Sequence, residues 1–356
     1  WVARNCLFGP KEGFAGVEQE GITAAYKAYG VERSVVLVSR LGHYSLQKAG
    51  GVLGIGNQNV IAIDVDKDHR LDMSHLAQTI DSLKATGNTK VLAVIGLGGA
   101  TETGTIDPLA EIAELCSQNQ IHFHVDAAWG GPTLLSHKYK ALLRGIGLAD
   151  SVTIDGHKQF YMPMSCGMLY FKDPRALDTI AYHSRYINRP GSVDLGIKSL
   201  SGSREANSLI LDSALKIMGS GGYALLIENG IRVARKFADE IERRADFELT
   251  SCPVLNILTY RLFPAVLRDK LAGKSEDEKK KIYETVNEIN ISLQRNQREA
   301  GNSFVSRTTL KGLHGQTEKC VVLRVVLMNP MTTIAILKEI LDEQEEIYRA
   351  MLLVTG

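Results

Sequence analysis

The chain lacks any paired-cysteine pattern. Its five cysteines, Cys6, Cys116, Cys166, Cys252 and Cys320, are odd in number and widely spaced, with no Cys-x-x-Cys. That usage points to a reducing compartment, here the cytoplasm, and away from a disulfide-stapled fold. An excess of either charge is also missing. The 41 Lys and Arg against 40 Asp and Glu leave a formal net charge of +1, so nothing suggests nucleic acid or an anionic membrane as a partner. No apolar run reaches the length of a membrane span, and no charged-then-apolar leader opens the sequence. Internal repeats and low-complexity tracts are absent. What remains is a globular chain of 356 residues, 44% of them hydrophobic, able to bury a large core in two domains or in one large and one small lobe.

What is present is an alternation of short apolar strands with amphipathic helices. Residues 35–39, 60–63 and 91–95 have strand length and β-branched character, and 73–85 predicts a helix with Leu76, Ile80 and Leu83 on one face. Segments 21–29 and 108–118 predict two more helices, the latter with Pro108 in its first turn. This order implies a mostly parallel α/β sheet. The glycine cluster at 219–222 marks the expected boundary between a domain at 1–219 and one at 220–356. The second reads as an α+β lobe, with a long helix from 223, strands near 247, 256–261, 304–309 and 320–326, and helices from 276 and 333.

The stretch 121–158 carries the chemistry. Ile121, Phe123 and Val125 alternate as a buried strand that delivers Asp126 at its C-terminal end, where open α/β sheets place ligands. A second short strand, 151–154, delivers His157 and Lys158 in the same way. A carboxylate and an amine at strand ends suit a flat cationic heterocycle carrying an aldehyde, a description met by pyridoxal 5'-phosphate. Lys158 is the candidate for condensation with the aldehyde. Asp126 is the candidate to keep the pyridine nitrogen protonated, so that the ring can take up electrons from the substrate Cα. Ala127 and Ala128 are small enough to let the ring lie flat, and Trp129 closes one edge. Either charged residue alone would be an ordinary solvated loop residue; the ordered pair of HVDAA and GHK favours the site.

Two rival patterns are weaker. Gly96 and Gly98 open a dinucleotide-like fingerprint, but Thr101 replaces the third glycine and the next helix starts only near Pro108. His122 and His124 have the spacing of a two-histidine metal pair with no evident third ligand, so packing is the simpler account and no metal is expected.

With HFHVDAAWGG, SVTIDGHKQF and GHYSLQKAGG in place, the chain resembles the group II pyridoxal-phosphate amino-acid decarboxylases, from Trp1 to about Met351. It looks most like bacterial decarboxylases of glutamate, aspartate or 2,4-diaminobutyrate. The resemblance implies an aspartate-aminotransferase-like fold, that of fold-type-I pyridoxal enzymes, and a homodimer with the cofactor near its interface. It further implies that His43 stacks on the cofactor ring and that Thr101 contacts the cofactor near its ring hydroxyl or the lysine's approach. Ala128, His157 and Asp155 join the cofactor set; Asp155 stands where the family often has asparagine or serine, and a carboxylate there repels a phosphate dianion. Arg204, in SGSREANS, matches the arginine that meets the substrate carboxylate, with a surface salt bridge as the plain alternative.

Residues 183–203, with Pro190, Gly191, Gly196 and Gly202, form the expected lid. The family carries a tyrosine well inside that loop; here only Tyr182 and Tyr186 stand at its start. The chain opens on Trp1, and the resemblance implies a TSGGT-type phosphate loop before it, so this stretch alone is expected to hold the cofactor weakly and to lack part of the side-chain pocket. The expected reaction is decarboxylation at C1 of a small amino acid, glutamate or aspartate. The alternatives are 2,4-diaminobutyrate as substrate, a transaminase or sulfur lyase, a nicotinamide dehydrogenase, or a non-catalytic protein.

Overall fold

The computed structural model describes residues 1–184, 191, 193–311 and 319–355. The chain divides into two compact units. The first comprises Trp1–Asp66, Arg70–Ala100 and Ile106–Tyr223; the second comprises Lys67–His69, Thr101–Thr105 and Ala224–Gly356.

The first unit is built on a six-stranded sheet. Its strands are β1 (Arg33–Ser39), β2 (Val60–Ile63), β3 (Thr89–Leu97), β4 (His122–Asp126), β5 (Ser151–Asp155) and β6 (Gly167–Phe171), in the order β2-β1-β3-β4-β5-β6. All pairings are parallel except β5 with β6, which is antiparallel. The expected α/β architecture is therefore present. In the register, Leu97 lies beside Asp126 and Asp126 beside Thr153, so the strands that carry the motifs end together at one edge.

Helices α1 (Val2–Leu7), α2 (Val17–Tyr29), α3 (Ser45–Val52), α4 (Met73–Ala85) and α5 (Leu109–Asn119) surround this sheet. α4 starts where the side chain of Asp72 accepts from the backbone N–H groups of Ser74 and His75, a cap that satisfies two orphan donors. It buries the Leu76, Ile80 and Leu83 face. Removing such side chains from water contributes roughly 1.5–3 kcal/mol each. Asp107 is buried and fixes the end of β3: its two carboxylate oxygens accept from Leu71 N and Leu97 N, both at 2.8 Å. Burial pushes its pKa up to about 7.

The two faces of the sheet differ. Leu37, Val94, Phe123 and Val125 point to a closed core. On the opposite face Val36, Ala93, Ile95, His122, His124, Ser151 and Thr153 line a cavity of about 790 Å³.

Helix α6 (Asn207–Glu242) is broken at Gly219 (φ 61°, ψ 175°), the first residue of the expected breaker, and helical geometry resumes through Ser220, Gly221 and Gly222; the first compact unit ends at Tyr223. Tyr223, Ile227 and Ile231 are buried, and that burial outweighs the roughly 1 kcal/mol that each helical glycine costs. By length and composition alone α6 is apolar enough to cross a membrane, yet the break at Gly219 divides it.

The second unit has a four-stranded antiparallel sheet of β7 (Phe247–Ser251), β8 (Ile257–Leu262), β9 (Ser306–Lys311) and β10 (Lys319–Val326), in the order β7-β8-β10-β9. With it go the short α7 (Ala265–Arg268), α8 (Glu276–Ala300) and α9 (Ile334–Thr355). Phe237, Tyr260, Leu293, Leu323 and Leu341 form its core. Segments from early in the chain are stitched into it. His69 Nε2 meets Thr250 O at 3.0 Å, Thr105 Oγ1 donates to His69 O at 2.9 Å, and Arg324 Nε donates to Thr101 O at 2.7 Å.

Candidate active site

Asp126 sits at the C-terminal end of β4. The chain then stays against β5, with Ala127 N donating to Thr153 O at 3.0 Å and Asp155 N to Ala128 O at 3.2 Å. Small residues are required here: a Cβ on Gly98 would come within 2.9 Å of Ala127 Cβ, so glycine and alanine allow the two backbones to approach. Gln159, almost fully buried, donates to Trp129 O at 2.8 Å and fixes the turn after the motif.

Ala128 N donates to Asp126 Oδ1 at 3.2 Å. Among the described residues the other carboxylate oxygen has no hydrogen-bond partner. Burial raises the Asp126 pKa, while the Ala128 N–H, Lys158 and His43 pull it back and Asp155 raises it again. A half-buried carboxylate with one oxygen unused is suited to a protonated ring nitrogen.

Lys158 comes from the turn after β5. That turn is folded tightly, since Gly156 N (2.8 Å), His157 N (3.2 Å) and His157 Nδ1 (2.7 Å) all converge on Cys166 O. A Cβ on Gly156 would lie 2.5 Å from Cys166 Sγ. The turn brings Lys158 Nζ to 2.8 Å from Asp155 Oδ2, with His157 Nε2 3.6 Å from the same oxygen. Asp155 is therefore the counter-ion of the lysine.

His43 follows β1 and is half-buried. Its Nδ1 lies 2.8 Å from Ser45 Oγ, and its ring tilts against Tyr44 at 4.3 Å. The structure thus gathers Asp126, Ala128, Asp155, His157 and Lys158, with His43 in electrostatic reach of Asp126. Thr101 belongs to the second unit, where its carbonyl holds Arg324. Arg204 is exposed and borders the sheet-face cavity with Lys198 and Ser208; neither Asp126 nor Lys158 lines that cavity.

At the start of the expected lid, the Tyr182 hydroxyl donates to Glu18 Oε1 at 2.8 Å. Leu195–Lys198 forms a short 3-10 turn, and Lys198 is paired with Asp178 at 2.6 Å. Tyr186 lies outside the described residues.

Two features carried no role in the sequence. Arg324 is a lone arginine in the apolar β10 run; burial lowers its pKa and the neighbouring Glu102 raises it. The other is a row of side chains on the β4 and β5 face. His122 Nε2 and His124 Nδ1 both lie 2.8 Å from Ser151 Oγ, and His124 Nε2 lies 3.2 Å from Thr153 Oγ1. The polar alternation of Ser151 and Thr153 beside His122 and His124 was the available signal.

The family model described as "Pyridoxal-dependent decarboxylase conserved domain" matches residues 16–263. The chain is 47% identical over 347 residues to an aspartate 1-decarboxylase of Aliivibrio fischeri, covering 98% of this chain and 63% of that protein. It is 32% identical over 253 residues to an L-2,4-diaminobutyrate decarboxylase of Acinetobacter baumannii, covering 70% of this chain and 49% of that one. The chain thus spans less than two thirds of the length of these relatives. Among solved structures, mouse CSAD in apo form superposes with a TM-score of 0.83 at 26% identity, covering 97% of this chain and 68% of that chain.

Proposed function

Because the chain belongs to the pyridoxal-dependent decarboxylase family, we propose that Asp126, Lys158 and His43 serve the release of carbon dioxide from C1 of a small amino acid, with aspartate the first candidate and glutamate and 2,4-diaminobutyrate next. The observation that carries this reading is the placement of the half-buried Asp126 and the Asp155-held Lys158 at the carboxyl ends of neighbouring parallel strands. Pyridoxal 5'-phosphate, when bound, supplies an aldehyde for the amine and a ring that takes up the electron pair left at Cα.

The residues fit that group. Asp126 keeps one oxygen for the ring nitrogen and holds the proton there. Lys158 would supply the amine, which Asp155 holds in place with Nζ at 2.8 Å. His43 and Ala128 would help to hold the ring, the one as a flat partner and the other as a small neighbour. The 47% identity to an aspartate 1-decarboxylase supports aspartate.

Two further parts of the proposal concern assembly and location. Leu209, Ile210 and Ile217 of α6 are exposed, an apolar surface that suits a second copy and hence a homodimer. None of the five cysteines is in a disulfide, which suits the cytoplasm. The test is a panel of aspartate, glutamate and 2,4-diaminobutyrate with added pyridoxal 5'-phosphate. Carbon dioxide and the matching amine from one of them supports the reading; a keto acid as the main product replaces it with a transaminase.

A further inference from the structure

We propose that His157 is the proton store for Lys158: the two side chains share one oxygen of Asp155, and His157 takes up the proton that the lysine ammonium must lose before its amine can attack an aldehyde. His157 acts through Lys158 and is thus a positioning residue. The inference rests on the proposed role of Lys158 as the condensing amine.

The geometry sets two cation-forming groups on a single acceptor. Lys158 Nζ lies 2.8 Å from Asp155 Oδ2, and His157 Nε2 lies 3.6 Å from the same oxygen. The imidazole is held from its other side. Its Nδ1 lies 2.7 Å from Cys166 O, and the Cys166 N–H is the longer contact at 3.3 Å. A lone pair that close to a carbonyl oxygen is repelled, so Nδ1 carries the ring proton. Nε2 of the neutral ring is then bare beside a carboxylate. Each ring nitrogen thus meets an acceptor, a setting that only the imidazolium satisfies in full.

In the free chain Lys158 is the nearer partner and balances Asp155. An ammonium has no lone pair, so one proton has to leave before a C–N bond can form. Release of that proton to solvent would strand the Asp155 charge, and the imidazole and carboxylate side chains are only 19% and 17% exposed. An unpaired charge in such a place is strongly unfavourable. Transfer to His157 avoids it: the ammonium of Lys158 becomes a neutral amine, Nε2 gains the proton, the total charge is unchanged, and Oδ2 keeps a cationic partner. Two other ionisable groups act in this pair's field. Burial first, and the Asp155 charge next, push the Cys166 thiol pKa up, so it stays neutral; Asp126 feels both Lys158 and Asp155 and is kept for the ring nitrogen.

The test uses the full chain without cofactor. In 15N-histidine NMR at neutral pH, with the His157 signals assigned from His157→Gln, the parent ring is expected to carry one proton, on Nδ1. In Lys158→Met, which removes the nearer cation and keeps an apolar stem, the ring should hold both protons at the same pH. In Lys158→Met with Asp155→Asn it should hold one again. A parent ring that already has its proton on Nε2, or has both, leaves no place for the lysine's proton and overturns the proposal. So does a singly protonated ring in Lys158→Met, or a doubly protonated one in the double variant.

The reactivity of the amine gives a second readout, which the parent chain alone can decide. Reductive methylation with formaldehyde and cyanoborohydride, mapped to Lys158 and divided by the rate of Nα-acetyl-lysine in the same solution, reports the neutral amine. The rate of an isolated amine falls about tenfold for each pH unit below its pKa. With the proton retained by His157, the Lys158 rate should level off toward neutral pH, so the ratio should climb by up to about tenfold per unit. In His157→Gln the ratio should stay constant. A constant ratio in the parent, or a climb that survives in His157→Gln, also overturns the proposal.

Failure of the condensing role is separable. If both readouts are as expected but borohydride reduction with pyridoxal 5'-phosphate labels a lysine other than Lys158, the proton store stands and the role given to Lys158 falls.

Discussion

Lys158 Nζ lies 2.8 Å from Asp155 Oδ2, and the two side chains are only 31% and 17% exposed. The carboxylate that the resemblance puts in the cofactor set holds the amine, three residues along the same tight turn. Asp155→Asn keeps the shape and loses the charge. Because both groups are partly solvated, the stability loss should stay within about 1 kcal/mol. Turnover should fall about tenfold through loss of amine orientation, with cofactor affinity changed less than threefold; equal losses in both would contradict a positioning role.

Lys158 itself should be the modified residue. Borohydride reduction of the protein with pyridoxal 5'-phosphate, followed by peptide mapping, is expected to place the label on Lys158. Lys158→Ala should abolish both label and turnover while leaving the melting temperature near that of the parent, since this side chain is not part of the core.

Asp126→Ala removes the counter-charge for the ring nitrogen. Losing a preorganised charge at the reacting group typically costs about 10²–10³ in kcat. Turnover of the fully loaded variant should drop on that scale, and far more than occupancy does. A kcat within threefold of the parent at full occupancy would remove Asp126 from the chemistry.

The pH dependence of stability has a defined sign at His124. Its pKa is lowered from 6.5 to about 4 in the folded chain, so the unfolded chain binds more protons between those values. Folding stability is then intact above pH 6.5 and is lost as pH falls toward 4, on the order of 3 kcal/mol in all. Urea unfolding at a series of pH values should show this slope, and His124→Gln should flatten it. A slope unchanged by the substitution would mean that other groups carry it.

Gly156→Ala tests the turn that presents Lys158. With the added Cβ 2.5 Å from Cys166 Sγ, overpacking should cost about 1–3 kcal/mol. Cys166→Ala in the same chain should restore most of the melting temperature and the lysine labelling, which a purely conformational effect at position 156 would not allow.

How much of this was legible in the sequence depends on the range of the interactions concerned. The period-two pattern gives β4 its bounds, and the apolar face of α4 gives the observed Met73–Ala85, because both depend on residues a few positions apart. Asp126 and Lys158 could be named because strand ends and small neighbours are local features. The partner of Asp155 was not legible, since it depends on how sharply Gly156 lets the turn close. Thr101 sits with β10 through Arg324, 223 residues later, a contact that no local pattern encodes. The glycine cluster was legible for the same reason as the strands: a local preference for a break appears as the non-helical Gly219, four residues before the end of the first unit at Tyr223.

The stitching of Lys67–His69 and Thr101–Thr105 into the second unit has a consequence for synthesis. These peptides leave the ribosome early, yet their partners Thr250 and Arg324 lie 181 and 223 residues downstream. The first unit therefore carries two unfinished loops until the second is made, and nascent chains should acquire protease resistance around residues 67–105 late, after most of the polypeptide has emerged. Contacts of such long separation also slow refolding, and a protein cut after Tyr223 would keep those loops permanently without the strands that hold them.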